Sequence, residues 1–271
     1  MSPRILFFLF LTAITLLLFF TSVSSVEFVY NTNFNSTNLV TFGDATIDSS
    51  ILSITNESTF SIGRALYPLK IPVKSSNSSE ILSFSTSFIF SIAPLKGLLP
   101  GHGFAFAFLP SAGIAGASSS QHLGLFNFTN NGNTNSHIFG VEFDLFSNQE
   151  FDDINDNHVR VDVNSMKSVA SSPAGFWGGS KDDKLKEYKL NNGANYQVWI
   201  DYEDSIINVT VSKVGDKRPR RPLINEFVNL SGVFLDEMYI GFSGATGQLV
   251  ESHKILVWSF NNSIFQSVML W

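Results

Sequence analysis

A two-residue alternation of apolar side chains, repeated along most of the chain, is the feature that most limits its fold. In the clearest run, residues 82–92, every second residue is apolar or threonine, and most of the residues between them are serines. Similar runs occupy 104–108, 159–163, 196–202, 207–211, 238–242 and 255–260. Successive side chains of a strand point to opposite faces, so this period indicates strands with one buried face. We predict an all-β chain of two antiparallel sheets packed as a sandwich or jelly roll, with most of the 27 phenylalanines between them.

The first 25 residues resemble a secretory signal peptide. Ile5 to Phe20 is apolar except for two threonines, Arg4 precedes it, and small residues lead to Ser25. Cleavage near Ser25 leaves 246 of the 271 residues (271 − 25), enough for one large β domain; an uncleaved anchor is the alternative. Loss of Arg4 changes the formal charge from −6 to −7, which argues against nucleic acid as the partner.

Cysteine usage and glycosylation motifs also bear on export. The chain has no cysteine, and a domain of this size can rely on its core instead of disulfides. Seven Asn-x-Ser/Thr sequons predict exposed glycosylation positions in a secreted chain. They are Asn35, Asn56, Asn77, Asn127, Asn208, Asn229 and Asn261.

Carboxylates and one histidine are concentrated between residues 141 and 165, VEFDLFSNQEFDDINDNHVRVDVNS. Glu142 and Asp144 project from one face of a predicted strand, and a hairpin of this length returns His158 to the neighbourhood of Glu142. Two acids facing one way repel each other unless solvent separates them or cations bridge them. Oxygen ligands suit Ca²⁺, and carboxylates with an imidazole suit a transition ion such as Mn²⁺. The spacing predicts a metal site, with a solvated acidic hairpin as the alternative.

A glycoside hydrolase is the competing interpretation of the same strand. Some β-sandwich hydrolases carry their two acids on one strand as Glu-x-Asp-x-x-Glu, or with one more residue before the last Glu. Here Ser147 and Asn148 stand at those positions, and Glu150 comes too late. The sequence also has no nucleophile elbow, cysteine nucleophile or phosphate-binding glycine loop. We therefore expect no enzymatic activity.

Ordered motifs along most of the mature chain carry a family resemblance. They are GRALYP (63–68), FSTSF (84–88), LGLFN (123–127), VEFD (141–144), HV (158–159), GFS (241–243) and WSF (258–260). With them the chain resembles the legume-type (L-type) lectins. The segments LPGHG (99–103), DINDNH (153–158), DEMY (236–239) and SHKIL (252–256) resemble the lectin ectodomains of plant lectin receptor kinases.

The resemblance implies a concanavalin-like jelly-roll sandwich over 26–262, followed by a short tail over 263–271. Without kinase motifs, we expect at most the lectin half of such a receptor.

The resemblance also implies adjoining Mn²⁺ and Ca²⁺ sites. At matching positions, Glu142, Asp144, Asp153 and His158 would bind the transition ion, and Asp144, Asp153, Asn148 and the backbone carbonyl of Phe146 would bind calcium. Ser168 falls where the family has a serine just outside the ligand set. Arg160 replaces a family glycine and alternates with His158 and Asp162 on the metal-side face, where it either crowds the site or pairs with an acid.

The implied carbohydrate pocket departs further from the family. Its positions are occupied by His102, Gln121, Phe146, Asn148, Gln248 and Leu249. Asn148 and Phe146 match the family's asparagine and aromatic residue, but His102 stands where an aspartate is expected, after a peptide bond that is cis in the family. A neutral histidine donates one hydrogen bond and accepts one, and it lacks the two charged oxygens of a carboxylate. We expect weak or absent binding of simple mannose or glucose, with His102 either structural or part of a changed pocket.

Three functions remain, in order of preference. The first is a secreted carbohydrate-binding protein with a Ca/Mn-type site and an atypical sugar pocket. The second is a receptor-like extracellular sensing or interaction module that has lost simple-sugar binding, and the third is a β-sandwich glycoside hydrolase.

The expected partner is a glycan or another extracellular ligand. A homodimer is also open, since lectins of this family often pair their sheets. The expected location is the apoplast or cell surface, or the plasma membrane if the chain is part of a receptor.

Overall fold

The computed structural model describes residues 25–75, 78–95, 101–178 and 184–262. The predicted signal peptide (except Ser25), the sequon at Asn77 and the predicted tail lie outside the described residues. In the ranges that are described, no helix has the length and apolar character needed to cross a membrane.

Eighteen strands are present in the described ranges. In chain order they are β1 (Glu27–Asn31), β2 (Val40–Gly43), β3 (Thr46–Asp48), β4 (Ile51–Ser53), β5 (Ile62–Leu66), β6 (Ile71–Pro72), β7 (Phe84–Pro94), β8 (Gly103–Leu109), β9 (Phe139–Asp144), β10 (His158–Val163), β11 (Ala170–Pro173), β12 (Gly175–Trp177), β13 (Leu185–Glu187), β14 (Asn195–Glu203), β15 (Ile206–Lys213), β16 (Ile224–Phe227), β17 (Glu237–Ala245) and β18 (Glu251–Asn261). Short 3₁₀ turns cover Ser120–His122, Thr134–Ser136 and Gln149–Phe151.

Two large antiparallel sheets contain most of these strands. The first sheet has the order β16-β15-β14-β7-β18-β4-β3, and β1 also pairs with β18. The second sheet has the order β11-β10-β9-β8-β17-β5-β2, and β6 also pairs with β17. Strands adjacent in space are often distant in sequence, so long crossovers connect the sheets. This arrangement confirms the predicted all-β jelly-roll sandwich.

Aromatic rings from both sheets meet in the core. Phe88 of β7 lies 6.1 Å from Phe106 and 5.7 Å from Phe143, measured between ring centroids, and Trp258 of β18 lies 5.0 Å from Phe242. Rings at these separations add about 0.5–1.5 kcal/mol per pair beyond the area they bury. The even-numbered residues from 82 to 92 are all buried, which confirms the predicted face of β7. Phe60, Phe128 and Phe227 are exposed exceptions to the prediction that phenylalanines lie inside.

Strand β18 differs from its predicted alternation. A bulge between Ile255 and Val257 shifts its register against β7, so Ile255 shares the buried face with Trp258 and Phe260. The extra residue of a β-bulge reverses the parity of everything after it. An unbroken alternation over 255–260 would place Ile255 and Trp258 on opposite faces, so the alternation predicted there was wrong.

The two ends of the described domain lie side by side. Strand β1 pairs with the last five residues of β18, from Glu27 opposite Asn261 to Asn31 opposite Val257. The buried Asn262 accepts a hydrogen bond from Val26 N at 2.7 Å and donates one to Pro72 O at 2.6 Å. One amide therefore joins three segments that are far apart in sequence.

Candidate functional site

The strand ladder of the second sheet brings the predicted metal ligands together. Asp144 is opposite His158 on one side and Gly103 on the other, and Glu142 is opposite Arg160. Because residues two apart share a face, the four polar side chains project from the same face of the sheet. All four are buried.

Three of the predicted ligands form a compact group. Glu142, Asp144 and His158 each offer one ligand atom, and these atoms lie within 4.8 Å of one another. Burial raises the pKa of Glu142 to about 7, against the opposing effect of Arg160. Burial and the negative charge of Glu142 raise the pKa of Asp144 well above its ordinary value. Burial therefore favours the protonated, neutral forms of these two carboxyl groups.

His158 is oriented as a metal ligand would be. Its Nδ1 lies 2.7 Å from the carbonyl oxygen of Asn155, which can only accept, so Nδ1 bears the proton. The lone pair is then on Nε2, which has no hydrogen-bond partner in the described part of the chain and lies 3.8 Å from Glu142 Oε1. A backbone carbonyl that fixes the tautomer in this way is common behind ligating histidines. Burial lowers the pKa of His158, which favours the neutral ring.

Arg160 is the basic member of the cluster. Its Nε lies 3.3 Å from Glu142 Oε1, its Nη1 pairs with Asp153 Oδ1, and its side chain is only 3% exposed. Its Nη2 donates to the carbonyl oxygens of Phe151 at 2.8 Å and Met166 at 3.2 Å. Arg160 was predicted either to crowd the metal site or to pair with an acid. The structure shows it paired with two acids, Glu142 and Asp153.

The loop between β9 and β10 is fastened to this cluster through its backbone. Asp153 Oδ2 accepts a hydrogen bond from Asn148 N at 2.5 Å, and Asp144 Oδ1 accepts one from Phe146 N at 2.9 Å. The side-chain Oδ1 of Asn148 is buried and has no hydrogen-bond partner among the described residues. The acids thus hold the stretch that carries Phe146 and Asn148.

A divalent ion fits these residues only in part. The unpartnered Glu142 Oε2 and His158 Nε2 are suitable donors for a transition ion. Asp153, which the family resemblance assigns to both ions, is instead paired with the guanidinium of Arg160. A two-ion site therefore does not fit the contacts of this chain, and the three-donor group has the guanidinium of Arg160 beside it.

Asp162 is a fourth buried acid on this face and was not among the predicted ligands. Ser168 Oγ, predicted just outside the ligand set, donates to Asp162 Oδ1, and Asp162 Oδ2 has no partner among the described residues. Burial, together with the charge of Glu142, raises the pKa of Asp162 well above its ordinary value. The two-residue spacing of Asp162 from Arg160, and of Arg160 from His158, was the sequence signal that Asp162 lies on the same face as these residues.

Four loops carrying the predicted carbohydrate residues converge beside the ends of the central strands β8, β9 and β17 of the second sheet. His102 and Phe146 lie 4.8 Å apart between ring centroids, and Gln121 Nε2 donates to Glu150 Oε1 at 3.2 Å. Ser120 N donates to Thr246 O at 3.1 Å, which joins the Gln121 turn to the loop of Gln248 and Leu249. Gln248 is exposed and Leu249 half-buried, whereas Asn148 is buried. All six predicted positions therefore lie on loops that contact one another.

His102 lies at the bottom of this convergence. Its side chain is 8% exposed, and a Cβ built at Gly247 would come within 2.7 Å of its Nε2, so the glycine allows a close approach. Burial, and after it the charges of His253 and His122, lower the pKa of His102 to about 4. The ring is therefore neutral. No peptide bond among the described residues is cis, so the Gly101–His102 bond differs from the family's geometry.

A buried hydrogen bond between Glu251 and His253 was missed by sequence reasoning. Glu251 and His253, both fully buried, pair at 2.8 Å, and His253 Nδ1 lies 2.7 Å from Thr55 Oγ1. The two-residue spacing from Glu251 to His253 to Ile255, all on the buried face of β18, was the only available signal.

The six described sequons differ in exposure. Asn35, Asn56 and Asn229 are exposed, and Asn127, Asn208 and Asn261 are half-buried. The side-chain Nδ2 of Asn127 donates to Gly116 O at 2.6 Å, and the Oδ1 of Asn208 accepts from Asn225 at 2.6 Å. Exposure thus separates the predicted glycosylation positions into two groups.

Known proteins resemble this chain over most of its length. Residues 25–269 match the legume lectin domain family. In Arabidopsis thaliana, the probable L-type lectin-domain containing receptor kinase VII.2 is 60% identical over 251 residues, covering 92% of this chain and 37% of that kinase. A lectin-like protein of the same plant is 45% identical over 248 residues, covering 86% of this chain and 90% of that protein. The chain thus spans little more than a third of the first relative and nearly all of the second.

Solved structures share the same architecture. Peanut lectin, solved with a nine-residue peptide, superposes with a TM-score of 0.75 at 27% identity, covering 90% of this chain and 100% of that one. Basic winged bean lectin with Tn-antigen gives a TM-score of 0.72 at 27% identity, covering 89% and 100%. Both likenesses support the sandwich assignment.

Proposed function

Because this chain belongs to the legume lectin domain family, we propose that it is a non-enzymatic, extracellular carbohydrate-binding domain. Its ligand would lie where the loops of His102, Phe146 and Asn148 converge. The observation that carries this proposal is Asn148 Oδ1, a buried acceptor without a partner in the described part of the chain, two residues after Phe146, whose ring contacts that of His102. Buried polar atoms are normally paired, so an unpaired one in this loop cluster favours a ligand that supplies a donor.

The pocket chemistry favours a ligand other than simple mannose or glucose. A neutral, largely buried His102 offers one donor and one acceptor where the family has an aspartate. Gln121 and Gln248 add amide groups at the rim, and Phe146 adds an aromatic face for a sugar ring. These groups suit a larger oligosaccharide with acetamido or hydroxyl groups, bound without a charged acceptor at the centre.

The predicted Ca²⁺ and Mn²⁺ pair stays a prediction. The ion pairs of Arg160 with Glu142 and Asp153 count against it, so we do not make binding depend on it. The two acids on β9 are buried and face Arg160 and His158, which does not favour the glycoside hydrolase.

An oligosaccharide array, followed by calorimetry, tests this proposal. The full secreted protein would be applied with Ca²⁺ and Mn²⁺ and again with EDTA, over several glycan classes. We expect micromolar to millimolar binding to an oligosaccharide class, at least tenfold weaker in Asn148→Ala, because one buried polar contact contributes about 1.4 kcal/mol or more. Asn31→Ala, an exposed asparagine on β1, is the matched control. No binding to any class would reject the proposal.

A receptor-like interaction module that has lost sugar binding is the second candidate. Its favouring observation is His102, covered by Phe146 and Gly247 where the family has an aspartate. His102→Asp would be assayed with mannose and glucose. Gain of simple-sugar binding would indicate an otherwise intact lectin pocket, and no gain together with no array binding would favour the module. The predicted homodimer also stays a prediction, which sedimentation of the secreted protein would test.

A further inference from the structure

We propose that Arg160 is a built-in cation that takes the place of a transition metal ion in this domain. Its guanidinium balances acids of the β9–β10 face and fastens the loop that carries the candidate carbohydrate residues. The consequence is a domain that folds and keeps its pocket without bound manganese. This goes beyond the proposed function, because it concerns metal content and would stand whatever ligand the pocket takes.

Arg160 makes its contacts mainly through its two terminal nitrogens, while its Nε has no hydrogen-bond partner among the described residues. A guanidinium has five N–H donors in a rigid fork that suits carboxylates. Here the fork pairs with Asp153, faces Glu142 Oε1 at 3.3 Å, and donates to two backbone carbonyls. A side chain that is 3% exposed and in contact with two carboxylates and two backbone carbonyls is part of the folded structure, not a mobile surface group.

Charge opposes a transition ion beside this guanidinium. An ion bound to Glu142, Asp144 and His158 would lie about 2.0–2.2 Å from a Glu142 oxygen. Arg160 Nε is already 3.3 Å from Oε1 of the same carboxylate, so the two cations would be neighbours in a buried site. Buried like charges repel strongly because little solvent screens them. The ion would also lack Asp153, which is committed to Arg160.

Arg160 also holds the β9–β10 loop against the sheet, as a bound ion would. Arg160 on β10 contacts Phe151 and Asp153 in the preceding loop, and Asp153 in turn accepts from Asn148 N at 2.5 Å. These contacts connect Arg160 on the sheet, through Asp153, to Asn148, whose side-chain Oδ1 has no partner among the described residues. Arg160 is therefore a positioning residue for Asn148.

Metal content and thermal stability of the full secreted protein test this inference. After incubation with Mn²⁺ and Ca²⁺ and gel filtration, we expect fewer than about 0.1 manganese per wild-type chain by mass spectrometry, because Arg160 opposes the ion. EDTA should leave the wild-type Tm unchanged within error. Arg160→Gly should lower Tm by roughly 10 °C, because it leaves buried acids unpaired, and should then take up about one Mn²⁺ per chain with recovery of Tm.

Two control variants separate charge from space and from general destabilisation. Arg160→Met removes the charge but leaves a side chain of similar length, so we expect a lower Tm with less manganese uptake than Arg160→Gly. Arg64→Met removes another buried arginine of the second sheet, which donates to the carbonyls of Gly113 and Gly124. It should lower Tm without any response to Mn²⁺.

Three results would overturn the inference. They are one manganese per wild-type chain, a fall of the wild-type Tm in EDTA, and a folded Arg160→Gly protein that takes up no manganese. If Arg160→Gly does not fold, the wild-type metal content and EDTA response decide alone.

Discussion

Arg160 and Glu142 face each other across β9 and β10, with Nε 3.3 Å from Oε1 and both side chains buried. Removing one member of a buried ion pair leaves the other charge without a partner. We expect Arg160→Met to lower the free energy of unfolding by about 3–5 kcal/mol. Glu142→Gln should lower it by about 1–2 kcal/mol, since Arg160 keeps Asp153.

A double-mutant cycle in urea measures the coupling of this pair. The double variant should lose less than the sum of the single losses, with a coupling free energy of about 1–3 kcal/mol. The exposed pair Lys167–Asp152, at 3.0 Å, is the control and should couple by less than about 1 kcal/mol. Additive losses for Arg160 and Glu142 would contradict a direct interaction.

His102 makes stability depend on pH in a defined direction. Its pKa falls from the ordinary 6.5 to about 4 in the folded state because it is buried. Between these values the unfolded chain binds a proton that the folded chain does not, so stability is complete above pH 6.5 and falls towards pH 4. The loss attributable to His102 should reach about 3 kcal/mol.

Urea unfolding of wild type and His102→Gln at several pH values from 7 to 4.5 checks this dependence. Other buried histidines contribute to both proteins, so the difference between the two slopes isolates His102. We expect the variant to lose stability less steeply as pH falls. Parallel curves would show that the proton uptake belongs elsewhere.

Asn262 should contribute more to stability than an exposed asparagine does. Asn262→Ala removes the partners of Val26 N and Pro72 O, and leaving buried groups unpaired costs about 1–3 kcal/mol each before water compensates. We expect a total loss of about 2–4 kcal/mol in chemical denaturation. The variant retains the Asn261 sequon, and Asn31→Ala on the neighbouring strand should stay close to wild type. Equal stability of the two variants would show that the amide bridge contributes nothing.

Glycan occupancy should follow the exposure of each sequon. Asn35, Asn56 and Asn229 are exposed, so we expect them to carry glycans in most secreted molecules. Asn127 should be occupied less often, because its Nδ2 donates to Gly116 O in the fold. Peptide mass spectrometry before and after enzymatic deglycosylation gives the occupancy at each position, and a fully occupied Asn127 beside an empty Asn229 would contradict this order.

The sequence predicts the sheets well where the alternation is unbroken. The residues that form the buried face of β7 follow directly from the two-residue period, because successive side chains of a regular strand point to alternate faces. In β18 the same rule fails after Leu256, because a bulge depends on pairing with β7 and leaves no local signal. Period alone cannot reveal a shift that the partner strand imposes.

In the site, too, contacts within one hairpin were predictable from the sequence, and contacts that depend on tertiary packing were not. Glu142, Asp144 and His158 were placed together correctly because a hairpin fixes their neighbourhood. The pairing of Arg160 with both Glu142 and Asp153 could be stated only as one of two outcomes, since a long flexible side chain has several possible partners. Glu251 lies on the other sheet, and its approach to the pocket depends on how the sheets pack.

Strand β18 runs from Glu251, next to the pocket loop of Gln248 and Leu249, to Asn261, next to the bridge at Asn262. Eleven extended residues span roughly 30 Å. The loop of Gln248 and Leu249 and the bridge at Asn262 therefore lie at opposite ends of β18. A bulky ligand held by that loop would approach the domain from the end that is remote from Val26 and Asn262.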